Sequence, residues 1–293
     1  MKKILKYISL AIAIPVLATS CLKDDAIIGP DAAGAIKNVI EWKNITTITS
    51  STTSPYAVFV PATLDPQKPE ITINAYVRYA GVDAAPNDIE VKLSVDPAIV
   101  AAYNKSQSGT LNALPTTAFE IPTSVVIKGG EREALVPIKL HVDKFDQTKE
   151  NVLPLVISST SSSTPISGNF GSVIYSFPVK SIWEGTYTYT IYNDYGTIDA
   201  NIGGTFTEEG VKLNTVGPNK LNVQYLWRTY SGYAQYQFNG NNTSITSITA
   251  FSGSARPTVI DKVVVVDAEK RIFEVNWTCL GRGVRERFVR TGD

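Results

Sequence analysis

The amino-acid sequence predicts an all-β chain: an N-terminal Ig-like β-sandwich over residues 36–180, then an antiparallel barrel-like (lipocalin-like) domain over 181–293, with a second sandwich as the alternative. Three observations predict it. Short runs of alternating apolar and polar residues, broken by Gly, Pro, Asn and Ser, recur from Ile36 to the C-terminus with only one stretch of helical character. The 293 residues exceed one minimal core and suit two domains. Aromatic density rises abruptly after Lys180-Ser181-Ile182-Trp183: eight of the fourteen tyrosines and three of the four tryptophans lie from Trp183 onward.

The chain begins with Lys2, Lys3 and Lys6, followed by a short apolar stretch from Ile8 to Leu17, which is the layout of a secretory signal over residues 1–20 and too short to span a bilayer. The stretch ends in Leu17-Ala18-Thr19-Ser20-Cys21, which resembles the lipobox of bacterial lipoproteins. That resemblance implies cleavage before Cys21 and acylation of its thiol, where several buried acyl chains would hold a soluble domain to a membrane without any protein span. Lys23, Asp24 and Asp25 follow, and a lysine with two acids just past the cysteine resembles the surface-export signal of lipoproteins in the Bacteroidetes. The expected location is the outer membrane, cell-surface exposed, with contact to the membrane by the lipid anchor alone. Residues 21–35, rich in Asp, Ala, Gly and Pro, read as a lipidated tether.

In the first domain, Ile71, Ile73, Ala75, Val77 and Tyr79 alternate along one predicted strand, and Glu90–Val95 and Val136–Val142 repeat the pattern. Asp96-Pro97 offers an N-cap and a first-turn proline, so a helix is expected from there to Asn104, lidding one end of the sandwich. Ser158–Ser163 is a Ser/Thr-rich connection. Tyr103-Asn104, Leu114-Pro115, Phe119-Glu120-Ile121, Lys128-Gly129-Gly130-Glu131, Asn151-Val152-Leu153-Pro154-Leu155 and Val173-Ile174-Tyr175, in this order, resemble one family. It is the Bacteroidetes surface lipoproteins that carry an N-terminal domain of unknown function and occur in glycan-utilisation loci. The resemblance covers roughly half the chain. It implies an association with carbohydrate capture and carries over no catalytic residue.

The second domain shows strands at Gly185–Tyr192, Thr197–Thr207, Val211–Val216, Lys220–Trp227, Ala234–Asn239, Ile260–Val266, Arg271–Thr278 and Val284–Arg290. Asp267–Lys270 and Leu280–Gly283 serve as hairpin loops. Sequential hairpins favour a closed or strongly curved sheet, which removes exposed edges. The stripes Tyr187, Tyr189, Ile191 and Leu221, Val223, Tyr225, Trp227 read as core.

Aromatics in turns have less core to enter, and two such turns carry the candidate binding residues. Tyr192, Asn193, Asp194 and Tyr195 form one; Trp227, Arg228, Tyr230 and Tyr233 lie in the other. An aromatic π face suits the C–H face of a sugar ring, while amides, carboxylates and guanidinium groups match its hydroxyls. The two turns would form one site only if they share a barrel mouth.

Composition narrows the alternatives. One histidine, His141, and two cysteines, Cys21 and Cys279, leave little for His-based triads, multi-His metal sites or zinc clusters. No cofactor or metal is expected. His141 falls on the outward face of its strand; Cys279 reads as a buried, inert thiol. The balance of 27 basic and 27 acidic side chains gives no reason to expect nucleic acid. Arg282, Arg285, Arg287 and Arg290 cluster at the C-terminus as a solvated face, or as a patch for an anionic glycan. Neither Glu208-Glu209 nor Glu131/Glu133 makes a glycosidase pair. The function expected is non-catalytic capture of a polysaccharide or oligosaccharide, or docking to an outer-membrane uptake complex. The alternatives are a structural or assembly protein, an adhesin-type subunit that binds a protein partner, and a carbohydrate-active enzyme.

Overall fold

A computed structural model describes residues 38–293. The signal segment, Cys21 and the tether with Lys23, Asp24 and Asp25 lie outside the described residues. Up to residue 180 the strands are β1 (Asn38–Trp42), β2 (Ala57–Phe59), β3 (Glu70–Gly81), β4 (Ile89–Val95), β5 (Asn112–Ala113), β6 (Phe119–Glu120), β7 (Ser124–Ile127), β8 (Glu133–His141), β9 (Asn151–Thr160) and β10 (Ser172–Ser176), with helix α1 (Pro97–Gln107) after β4. One sheet has the order β1-β3-β8-β6, the other β2-β10-β9-β4-β7 with β5 beside β9.

The two sheets face each other across an aliphatic core. Ala75, Val77 and Tyr79 of β3 and Val136, Ile138 and Leu140 of β8 meet Val91, Leu155, Val173 and Tyr175, all buried. The alternation of β3 sets this, because every second side chain must leave water together. Asp96 caps α1 as its sequence suggests, its carboxylate accepting from the Ala98 amide at 2.9 Å. The helix does not lid the end of the sandwich. Ile99 and Val100 pack on Val58, Val152 and Ile174, on the outer face of the second sheet. The cause lies in β9, where Val152-Leu153-Pro154-Leu155 is apolar on both faces and the outward face needs a cover. His141 stands on the outward side of β8, half-buried between Glu70 (3.1 Å) and Glu120 (2.9 Å).

Beyond residue 183 the strands are β11 (Gly185–Tyr192), β12 (Phe206–Gly217), β13 (Lys220–Val223), β14 (Tyr233–Phe238), β15 (Ile245–Ser252), β16 (Ser254–Arg256), β17 (Thr258–Asp267), β18 (Ile272–Cys279) and β19 (Arg282–Gly292). They make one antiparallel sheet in the order β16-β15-β14-β13-β12-β11-β19-β18-β17, so the meander is joined by pairing β11 with β19. The sheet curls into a nearly closed barrel, and the Thr258 hydroxyl at one end donates to the Ile248 carbonyl near the other. Three strand expectations change here: β13 stops at Val223 instead of running to Trp227, which leaves Tyr225 of the expected core stripe exposed. Residues 197–205 form a loop rather than a strand, and β12 runs unbroken through Gly210, whose φ of +76° lets it pass without strain. β15 and β16, in a Ser/Thr/Gly-rich stretch, have too few large apolar residues to announce themselves.

Rings fill the barrel. Tyr187, Tyr189, Tyr236, Phe238, Phe273, Trp277 and Phe288 are buried, with Phe273 stacked on Phe288 at 4.5 Å and Trp183 on Phe238 at 4.7 Å. Each such pair adds about 0.5–1.5 kcal/mol beyond the area it buries. The interior is therefore a core of packed rings. Among the rings sits one carboxylate, Glu286, which accepts hydrogen bonds from Tyr189 (2.5 Å), Tyr236 (2.6 Å) and the Trp277 indole. Strand parity sets Glu286 on the face opposite Arg285 and Arg287, and that face is the interior. Burial raises its pKa, against the pull of the three donors.

Candidate functional site

With the interior full, a site must lie at an end. The antiparallel order carries the 193–205 loop, the 224–232 turn, the β15–β16 turn and the β18–β19 hairpin to the same end. The turns of the opposite end, with Gly217 and Pro218, border the first half at Pro178 and line a groove of about 410 Å³. That groove is larger but carries a Lys180–Glu184 ion pair and no aromatic ring. A more open groove of about 490 Å³ on the sandwich has one ring, Tyr76, lying under Lys43.

At the barrel mouth a cleft of about 300 Å³ is lined by Leu226, Trp227, Tyr230, Ser252, Arg256, Cys279, Leu280 and Arg282. The 226–230 turn builds one wall. Tyr230 closes it by donating its amide to the Leu226 carbonyl at 3.1 Å, and Trp227 and Arg228 both adopt left-handed φ angles, +51° and +56°. A non-glycine residue held in that region costs on the order of 1–3 kcal/mol, and such strain gathers at ligand-binding segments. Its effect is to send Trp227 inward onto Trp277 (ring centroids 5.1 Å apart) and Tyr230 (6.3 Å), while Arg228 turns out over the Phe206 ring and pairs with Glu208 at 2.8 Å. The Trp227 Nε1, like the Trp42 Nε1 of the sandwich, is buried with no protein hydrogen-bond partner among the described residues. On the opposite rim Leu280 also has a left-handed φ, +51°, and is 65% exposed beside the cleft.

A polar network stands behind Tyr230. Its hydroxyl donates to Asp199 Oδ2 at 2.6 Å and accepts from Arg282 (2.7 Å) and Asn201 (3.1 Å), and Arg282 also reaches Asp199 at 3.1 Å. Burial would raise the Asp199 pKa, but the Tyr230 and Asn201 hydrogen bonds and the Arg282 charge outweigh it and hold the carboxyl below its ordinary value. Asn193 ties the same loop together, donating to the Asp199 carbonyl (2.8 Å) and to the Gly203 carbonyl, and accepting from the Asp199 amide (3.1 Å). Cys279 lines the cleft as a thiol whose pKa burial pushes up, only partly offset by Arg256, so it is protonated apolar wall.

The residues singled out from the sequence therefore separate. Trp227 and Tyr230 line the cleft, and Asn193 braces it from behind through Asp199. Tyr192 lies on the outer surface beneath Arg285, whose guanidinium sits 3.9 Å from the ring centre, and Asp194 pairs with the same arginine at 2.7 Å. Tyr195 packs on Gly283, where a Cβ would meet the Tyr195 carbonyl oxygen at 2.8 Å. Partial burial and the Asp261 carboxylate raise its phenol pKa. Arg228 is outside the cleft, and Tyr233 stacks on Phe251 at 4.6 Å. Sequence reasoning missed Ser252, Arg256 and Leu280. Arg256 offered no signal, since it stands alone in the unassigned Ser254-Ala255-Arg256-Pro257 stretch. Asp199 and Asn201 were absorbed into an expected strand. Among the described residues, no group of three or more His, Cys, Asp or Glu side chains is placed to hold a metal ion.

The class defined by this architecture is a two-sheet sandwich followed by an aromatic-filled, nearly closed barrel. A family model described as "-like, N-terminal domain" matches residues 43–164, less than half of the chain. No curated protein matches. Among solved structures, the chain is similar to a Bacteroides ovatus protein of unknown function at 14% identity and TM-score 0.47, covering 86% of this chain and 93% of that one. An auxiliary nutrient binding protein from Bacteroides thetaiotaomicron matches at 14% identity and TM-score 0.37, covering 85% and 93%. A candidate carbohydrate binding protein from Bacteroides ovatus matches at 13% identity and TM-score 0.40, covering 74% and 68%. At these identities and scores the likenesses carry no argument about function.

Proposed function

We propose that this chain is a non-catalytic carbohydrate-binding protein that captures an oligosaccharide at the mouth of its C-terminal barrel, held on the cell surface by a lipid at Cys21 and serving an outer-membrane uptake system. The observation that supports the binding role is the open cleft itself, where the Tyr230 ring and the exposed Leu280 side chain stand beside the Ser252, Arg256 and Arg282 polar groups. Tyr230 and Leu280 offer apolar surface to the C–H face of a sugar ring, with the buried Trp227 and Leu226 behind them, and Ser252, Arg256 and Arg282 offer polar groups to its oxygens.

The lining also speaks for capture over turnover. Glycoside hydrolysis uses two carboxyl groups flanking the scissile bond, and no carboxylate lines this cleft. A glycan array on the full chain tests the reading. Binding to at least one glycan class, lost in Tyr230→Ala and kept in Tyr195→Ala, is the expected result. Equal binding by wild type and both variants would move the site elsewhere, and no binding to plant, host or microbial glycans would give the lead to a protein partner. The anchor is tested separately: labelled palmitate should enter the wild type and not Cys21→Ala.

A further inference from the structure

The cleft's polar groups are nearly all donors. Arg256 and Arg282 each carry a guanidinium with five N–H groups, and neither can accept a hydrogen bond. Arg256 donates from Nη2 to the Ser252 carbonyl at 2.8 Å and has no carboxylate partner among the described residues; its Nη1 and Nε have no protein acceptor there. Arg282 spends Nη1 on Tyr230 and Asp199, leaving Nη2 and Nε without a partner among the described residues. No carboxylate lines the cleft, and Asp199 behind it is held by Tyr230 and Arg282. The charged groups of the lining are thus both guanidinium groups.

We infer that the mouth takes an anionic saccharide, its carboxylate or sulfate oxygens held by the free edges of Arg256 and Arg282 while the ring lies against Tyr230 and Leu280. This rests on the carbohydrate reading above and narrows it. A neutral sugar brings hydroxyls that must donate as well as accept, and a rim whose charged groups only donate meets few of those protons. An oxyanion brings only acceptors, and guanidinium–oxyanion hydrogen bonds are about twice as strong as neutral ones. Of the four C-terminal arginines only Arg282 lines the cleft, where Arg256 joins it. Arg285 and Arg287 share Glu274, and Arg290 pairs with Asp293. Arg256, distant from them in sequence, lines the cleft and has no carboxylate partner among the described residues.

Calorimetric titration of the full chain with uronate, sulfated and neutral oligosaccharides of matched length, at low and high salt, tests this. An anionic ligand should bind at least about ten-fold tighter than the neutral one and weaken as salt rises. Arg256→Gln should remove about ten-fold of that preference and most of the salt dependence, with an unchanged unfolding midpoint, because its one protein hydrogen bond is an exposed one. The uronate and sulfate arms tell which oxyanion is preferred, and a preference for either over neutral supports the inference. Equal affinity for neutral and anionic ligands, or indifference to Arg256→Gln, overturns it; if Tyr230→Ala still abolishes binding, the carbohydrate reading survives. Failure of every sugar to bind overturns both.

Discussion

The two aromatic turns at the barrel mouth have nearly the same composition and opposite fates. In residues 192–195 every candidate side chain is satisfied by the protein: Tyr192 by the Arg285 guanidinium, Asn193 by the loop backbone, Asp194 by Arg285, Tyr195 by close packing on Gly283. In residues 226–230 the backbone is strained, one donor is orphaned, and two rings line an open cleft. Polar aromatic composition does not separate a site from a brace. What separates them is whether partners are left over once the chain has folded, and that balance depends on residues far away in sequence.

Several substitutions would break or sharpen this contrast. The largest effect is expected beneath both turns, at Glu286. Glu286→Ala leaves Tyr189, Tyr236 and Trp277 with unmet donors in a dry core, and should lower stability by about 3–5 kcal/mol in urea titrations. Next is Asn193→Ala, which removes three hydrogen bonds from a buried loop staple and should cost about 1–3 kcal/mol. If that cost is absent, the first turn is not a brace. Smallest is Asp194→Asn. Its partner Arg285 is exposed and keeps Glu274, so stability should change by about 1 kcal/mol or less and glycan binding not at all.

The two buried carboxylates should also respond to pH with opposite signs. The Asp199 pKa is lowered on folding, so its contribution is present above the ordinary Asp range and is lost as pH falls through its depressed folded value. The Glu286 pKa is raised by burial, so the folded state holds its proton more tightly, and stability declines as pH rises above the ordinary Glu value of 4.5. Urea midpoints measured against pH should show Asp199→Asn removing loss on the acid side and Glu286→Gln removing decline on the alkaline side. A variant that leaves its side of the profile unchanged would contradict the burial and pairing described for that residue.

Much of the fold is legible because period-two alternation is a direct consequence of strand geometry. Ala75, Val77 and Tyr79, and likewise Tyr187, Tyr189 and Ile191, could be placed inside from spacing alone. The loop at 197–205 was misread because β-branched Thr and Ile residues imitate a strand where Asn193 and Asp199 in fact organise the chain by side-chain hydrogen bonds. Strand parity placed Glu286 opposite Arg285, but a lone Glu between arginines resembles a solvated face until the three donors around it are known. Of the site, Trp227 and Tyr230 were visible as turn aromatics. Arg256 was not, because its distinction is the absence of a partner, and no local pattern records an absence.

The most direct test of the central claim follows the Trp227 indole N–H by nuclear magnetic resonance during titration with a glycan that the chain binds, the resonance being assigned with Trp227→Phe. Trp227 Nε1 starts without a hydrogen-bond partner beside the cleft, so its signal should shift with the same saturation curve as binding. A stationary Trp227 signal, with shifts at Tyr192 and Tyr195 or in the N-terminal sandwich instead, would contradict the account.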